Sequence, residues 1–381
     1  MSKLEELIKI IFPFDLKTKL LGDLEDEGIL TLGRGEVISK KDMQANPGIY
    51  PVYSSSASGD GQIGSYGKYM FDDERITWSI DGGGKLFYRN NIKYSITNVG
   101  GWLKVDRPDI LITKYLYYCL INQWMRKSFD YTHKAHPSII RNEYSVPLPA
   151  LAVQLEIVRI LDTFMELTAE LTAELTARKK QYEYYSNTLL DIAKADNPKF
   201  RIGEVCKLEK GMTPIQKAVP GDYPMVVTTS ERKSNNEYQF DSPSVCIPLV
   251  SSRGHGVASL SHVYYQEGKF ALGNILCALT PKIPSQLSAK YLYYYFEQTK
   301  DYTLVPFMKG GANVALRMED IEKVKINIPP LQEQNRIVSI LDHFDTLCND
   351  ITTGLPAEIE ARKKQYEYYR DKLLTFPEAR A

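Results

Sequence analysis

The sequence predicts an α+β protein: two globular α+β domains separated by two long antiparallel helices, a coiled-coil pair with pseudo-two-fold symmetry. Three observations predict it. The string ARKKQYEYY occurs at Ala177–Tyr185 and again at Ala361–Tyr369. It closes two longer copies of one pattern. Pro149, Leu151, Gln154, Ile157, Val158, Ile160, Leu161, Asp162 and Phe164 return as Pro329, Leu331, Gln334, Ile337, Val338, Ile340, Leu341, Asp342 and Phe344. The offset is 180 residues at the start and 184 at the end, far too long for a solenoid and therefore the mark of a duplicated half-molecule. The stretches between the copies mix short β-rich runs with a Tyr-rich helix and Gly/Ser/Asn turns, faintly alike in both halves.

The expected division is a first domain over residues 1–149, a first long helix over 150–195, a second domain over 196–329 and a second long helix over 330–376. In the first domain Leu21-Gly22-Asp23, Gly48–Val52 and Lys114–Tyr118 correspond to Ile202-Gly203-Glu204, Gly221–Met225 and Lys290–Tyr294 in the second. The runs Ile49–Tyr53, Arg75–Ile80, Val245–Val250 and Lys269–Leu279 read as strands. Residues 1–20 have no evident counterpart in the second half.

The first long helix starts after Pro147 and Pro149 and carries apolar residues at Leu155, Ile157, Val158, Leu161, Phe164, Leu167, Leu171, Leu175, Tyr182, Tyr185 and Leu189. Steps of three and four with no internal Gly or Pro mark an amphipathic helix that ends before Asn197-Pro198. About 40 residues make it roughly 60 Å long. The second runs from Leu331 to about Leu374, with a kink or break expected at Gly354-Leu355-Pro356. Neither stripe can be buried alone at that length, so the copies are expected to pair. Within the first helix Glu166–Ala177 reads ELTAELTAELTA. Each four-residue unit adds ~6 Å and just over one turn. It reads as an adjustable ruler or as plain helix filler.

Formal net charge is zero, which argues against a strongly electrostatic nucleic-acid binder. The balance is uneven, however. Residues 28–149 hold 15 Lys/Arg against 11 Asp/Glu, and residues 198–329 hold 16 against 12, so both variable segments are mildly basic. No apolar run approaches the ~20 residues a membrane span needs. The opening MSKLEELIKIIFPF has early acidic residues and no small-residue cleavage site, which argues against a secretory leader. Five scattered cysteines without a CxxC pair fit reduced thiols in a cytoplasm.

Candidate binding residues lie in loops, where small residues let a backbone approach a ligand and Arg, Lys, Asn, Ser and Thr can read base edges and phosphates. In the first domain these are Ser55, Ser56, Ser58 and Gln62, then Lys85 and Arg89, then His133, Lys134, Arg141 and Asn142 in a late loop. In the second they are Arg232, Lys233 and Asn235, then Ser252, Arg253 and His255, then Lys309, Asn313 and Arg317. For any single one an ordinary surface loop is the commoner reading; together they point to an interface. Arg178, Lys180, Tyr182 and Tyr185, with Arg362, Lys364, Tyr366 and Tyr369, read as inter-helix packing or partner contacts. Other motifs fail on context. Gly59–Gly64 has the GxGxxG letters without a following helix. Gly67-Lys68 is no P-loop, and Asp196-Asn197-Pro198-Lys199 lacks the aromatic residue of an amino-methyltransferase motif. His133 and His136 lack further metal ligands, and no nucleophile-elbow spacing occurs.

The order of variable domain, long helix, variable domain and second helix copy resembles the specificity subunit of a type I restriction-modification enzyme, the HsdS family. The carrying residues are Ile157–Asp162, the ELTAELTAELT tract, Arg178–Tyr185, Gln334–Asp342 and Arg362–Leu373. The tandem TAEL unit is IC-like. The resemblance implies that each variable domain is a target-recognition domain reading one half of a bipartite, asymmetric double-stranded DNA site, with the helices setting an unread spacer. It implies a non-catalytic chain on which two adenine-N6 methyltransferase subunits dock, bringing S-adenosylmethionine, joined by restriction/translocase subunits that bring ATP and Mg²⁺ dependence. It implies no cofactor or metal in this chain, no membrane and a cytoplasmic setting. A helical scaffold with two protein-binding domains is the competing reading. A free-standing methyltransferase would need a cofactor cradle that the sequence does not show.

Overall fold

The computed structural model describes residues 18–55, 59–81, 85–127, 129, 134–192, 197–229 and 231–375. The chain forms two compact units. One comprises the chain up to Glu170 together with residues from Ile359 on; the other is Leu171–Glu358.

The elements of the first half are β1 (Thr18–Leu20), α1 (Leu21–Asp26), β2 (Leu30–Arg34), α2 (Lys40–Ala45), β3 (Tyr50–Tyr53), β4 (Gln62–Tyr66), β5 (Arg75–Ser79), β6 (Leu86–Arg89), β7 (Ser95–Ile96), β8 (Gly100–Val105), α3 (Thr113–Trp124), α4 (Pro137–Glu143), β9 (Ser145–Pro147) and α5 (Leu151–Ile192). The second half follows with β10 (Lys199–Arg201), α6 (Ile202–Val205), β11 (Cys206–Lys210), β12 (Tyr223–Val226), β13 (Lys233–Asn235), β14 (Ser244–Pro248), β15 (Tyr264–Gln266), β16 (Ala271–Leu272), β17 (Leu276–Pro281), α7 (Ala289–Thr303), α8 (Met318–Lys323), β18 (Lys325–Asn327), α9 (Leu331–Asn349) and α10 (Leu355–Leu374).

The two halves have the same topology. An antiparallel four-stranded sheet runs β2-β8-β5-β6 in the first and β11-β17-β14-β15 in the second. A three-stranded sheet runs β4-β3-β7 and β13-β12-β16, and in both the last pairing is parallel. A two-stranded ribbon closes each domain, β1 with β9 and β10 with β18. That ribbon gives residues 18–20 the counterpart the sequence did not show, at Lys199–Arg201. The expected strand over Lys269–Leu279 is instead two strands. The chain leaves β16, which pairs with β12, turns at Gly273 and joins the other sheet as β17.

Central strands β5 and β14 are buried at every residue, as strands covered on both faces must be. The Tyr-rich helices α3 and α7 supply one cover: Tyr115 and Tyr291 are fully buried and donate their hydroxyls to the carbonyls of Pro147 (3.0 Å) and Asn327 (3.5 Å). Each core continues onto one long-helix start and one long-helix end. Ile157, Leu161, Leu373 and Leu374 complete the first core, and Ile337, Leu341, Leu189 and Leu190 complete the second. These are the same repeat positions used twice.

The break in the second helix copy falls at residues 350–354. The Asp350 carboxylate accepts the Thr352 N–H at 2.7 Å and the Thr353 N–H at 3.2 Å, together with both hydroxyls, which turns the chain before Pro356 can start a new helix. The Thr352 and Thr353 donors hold Asp350 well below the usual carboxylate range. Among the described residues no helix is long and apolar enough to cross a membrane.

Candidate nucleic-acid interface

In the second domain the fold joins two loops that lie far apart in the chain. Beyond β14, Leu249 accepts the Leu316 N–H (2.9 Å), Ser251 N–H donates to Val314 O (3.0 Å) and Gly256 N–H donates to Ala312 O (3.3 Å). Lys309 and Ala315 exchange both backbone bonds at 2.9 Å, closing a tight loop around Gly310. Gly310 takes φ 148°, and a Cβ there would lie 2.1 Å from Asn313 O, so only glycine fits. Ser251 and Ser252 donate their hydroxyls to the carbonyls of Val257 (2.5 Å) and Ser259 (3.1 Å), and His255 takes φ 60°. The serines hold the shape of the loop. Arg253, His255, Lys309, Asn313 and Arg317 remain exposed. Residues 249–263 and 304–318 carry Arg253, Lys309 and Arg317 and no Asp or Glu, so these two segments are themselves cationic. A polar cleft of about 300 Å³ opens beside it, lined in part by Ser251, Ser252, Ser261 and His262.

The first domain makes the same join with different chemistry. Ala135 N–H donates to Ile80 O (3.0 Å) and the Trp78 indole donates to Ala135 O (2.8 Å), fastening the late loop to the end of β5. Lys134 then pairs with Asp81 at 2.9 Å. Ser55 is half-buried, while Gln62, Lys85 and Asn142 are exposed; the Gln62 amide donates to Gly64 O at 3.1 Å. Ser56, Ser58 and His133 lie outside the described residues. So do Thr132, Ser230 and Asp196.

Several other candidates are engaged by neighbours within their own domain. Arg89 is 6% exposed, lies 3.5 Å from the Tyr53 ring and donates to Asp60 O at 2.5 Å, tying edge strand β6 to the turn before β4. Arg232 does the equivalent work from the other side, donating to Gln266 Oε1 (3.1 Å) and Tyr265 O (3.2 Å) of β15. Arg141 holds α4 to α1 through Asp26 (2.6 Å) and Glu25 (3.3 Å). Asn235 is buried and donates to Glu237 O, whereas Lys233 beside it is exposed. The GxGxxG stretch forms the turn and first residues of β4, with Gly59 and Gly61 at positive φ. No cluster of metal-ligating side chains occurs among the described residues.

The helix candidates divide by face. Tyr366 packs against the first core and Tyr182 against the second; burial pushes the Tyr366 phenol up to about 12. Tyr369 stacks on Phe164 at 5.4 Å within the first unit, and Tyr185 stacks on Phe344 at 5.6 Å within the second. Arg178 pairs with Glu174 (2.7 Å), Lys364 lies 3.6 Å from Glu360, and Arg362 donates to Gln365. Lys180 is exposed, as are Tyr184 and Tyr368.

Each domain also meets its helix through a polar joint to which the sequence assigned no role. Gln154 and Gln334 are both 0% exposed. Gln154 accepts the Ile112 N–H and donates to Ile110 O and Pro149 O, all at 2.9 Å. Gln334 accepts the Ser288 N–H and donates to Gln286 O and Pro329 O, all at 2.8 Å. Just over two turns further on, Asp162 binds Lys114 (2.7 Å) and the Tyr118 hydroxyl, and Asp342 binds Lys290 (2.8 Å) and the Tyr294 hydroxyl (2.6 Å). Burial, then the bond to the aspartate, raises both phenols far above their ordinary value, so each stays a donor. The available signal was a polar residue kept in both copies inside an apolar stripe.

A duplicated α+β domain whose loops differ, joined twice to the same helix pattern, defines a class of protein, and comparison with known proteins gives the family. A model of the type I restriction modification DNA specificity domain matches residues 22–178 and 195–361. The chain is 35% identical over 300 residues to the EcoR124I/EcoR124II specificity subunit of Escherichia coli, covering 70% of this chain and 71% of that one. It is 30% identical over 376 residues to a protein of Mycoplasma pneumoniae named as a type I specificity subunit, covering 92% and 96%. A type I restriction-modification S subunit from M. genitalium shares the fold, with a TM-score of 0.63 at 16% identity over 96% of this chain and 97% of that one. The chain belongs to the specificity subunits of type I restriction-modification systems.

Proposed function

We propose that each domain reads one half of a bipartite, asymmetric DNA site, that α5 and its partner copy set the unread gap, and that two methyltransferase subunits dock on the helices. One observation carries this reading. Both domains build a loop surface at the same place, beyond the central strand, and give it different chemistry: Arg253, His255, Lys309 and Arg317 in one, Lys134 paired with Asp81 in the other. Equal scaffolds with unequal loops suit two different half-sites. Arg and Lys reach guanine edges or phosphates, and Asn reaches adenine. The chain itself is proposed to do no chemistry, with S-adenosylmethionine on the methyltransferase subunits and ATP with Mg²⁺ on the translocase subunits. Arg253→Ala and Lys309→Ala test the reading. Each is expected to cost about 1–3 kcal/mol and to relax recognition in one half-site only, measured by mapping methylated adenines for the assembled complex. Equal weakening of both half-sites would make these residues phosphate or partner contacts instead.

A further inference from the structure

We infer that the two polar joints, Gln154 with Asp162 and Gln334 with Asp342, are positioning devices that keep the gap between half-sites strict, in addition to the length of α5. This rests on the bipartite reading above. The loops of the two domains diverge, yet the joints recur bond for bond. One buried amide takes an N–H and gives two, and one carboxylate takes a lysine and a tyrosine hydroxyl.

Stability alone does not account for the recurrence of the aspartate half of each joint. The lysine–aspartate pairs are partly exposed, at 32% and 24% in one joint and 38% and 35% in the other. Pairs of that kind contribute little to folding. Their geometry does more. The amide pins the start of the helix to the loop before α3 or α7, and the aspartate pins that same helix to the first turns of α3 or α7. The two polar attachments flank buried Ile157, or Ile337, and because their bonds are directional they fix the helix's angle more sharply than apolar packing alone. The lever is short but sufficient. At roughly 20 Å from a joint, about the radius of such a domain, a tilt of about 10° moves a reading loop by about 3.5 Å, close to one base-pair step.

The test uses the full chain assembled with its partner subunits. Lys290→Ala combined with Tyr294→Phe removes both groups that hold Asp342 while keeping the aromatic ring in the core. Lys290→Arg is the conservative control. With methylated sites mapped, the double variant is expected to keep both half-site sequences and to raise methylation at gaps one base pair off by roughly tenfold over wild type. The control should stay at the native gap. Lys114→Ala with Tyr118→Phe should repeat the effect from the other joint. A double variant as strict as wild type overturns the inference, and so does an even loss of methylation at all gaps, which marks a folding role only. A wild-type complex with no bipartite motif removes the underlying reading and the inference with it.

Discussion

Gly354 ends the turn between α9 and α10, where a Cβ would lie 2.5 Å from Thr346 O and 2.6 Å from Asp350 O. Those are backbone atoms that cannot swing aside. Gly354→Ala is therefore expected to lower stability by about 1–3 kcal/mol, and an unchanged midpoint in thermal unfolding would contradict the account. The same scale shows what residue type cannot tell. Arg253 and Arg89 are the same letter in similar loops or strand ends, yet one is exposed and the other is held against Tyr53 and bonded to a carbonyl. Arg141, Arg232 and Asn235 have donors engaged by Asp26, Tyr265 and Glu237 of their own domains. Whether a guanidinium braces or reads depends on tertiary neighbours that a linear pattern does not contain. Gln154 and Gln334 went the other way. Their identity at matching positions was visible, but their backbone partners at Ile110 and Gln286 lie more than 40 residues upstream.

At the scale of elements the long helices were legible because a 3.6-residue period over ten turns outweighs local noise. Tyr369 and Tyr185, read as inter-helix packing or partner contacts, stack on Phe164 and Phe344, each pair within one unit. The strands were read less well. Lys269–Leu279 is β-rich on either side of Gly273-Asn274, but the turn there sends its two parts to different sheets, and only the tertiary pairing shows which sheet each part joins. The TAEL tract lies inside α5 with no break, as a ruler requires. Deleting Thr168–Leu171 removes ~6 Å and close to one turn. The expected outcome is a shorter tolerated DNA gap with both half-site sequences kept. Altered half-sites at an unchanged gap would sink the ruler.

At the scale of the whole molecule the duplication carries the account. The repeat in the helices was strong enough to be read directly, and the matching sheet orders, including the parallel β3–β7 and β12–β16 pairs, extend it to domains whose sequences are only faintly alike. Loop convergence was not legible. Residues 251–256 and 309–315 were separate candidates until backbone bonds joined them. The sequence offers no cradle for a nucleotide cofactor, so the isolated chain is expected to bind no S-adenosylmethionine in calorimetric titration; saturable binding would restore the free-standing methyltransferase reading. The central claim, two domains reading two half-sites across a fixed gap, is tested most directly by expressing the chain with the methyltransferase subunit of its own system in a methylation-free host and sequencing the DNA for modified adenines. The expected result is a single bipartite, asymmetric motif with one gap length. A continuous motif, or none from a complex shown to assemble, would contradict it.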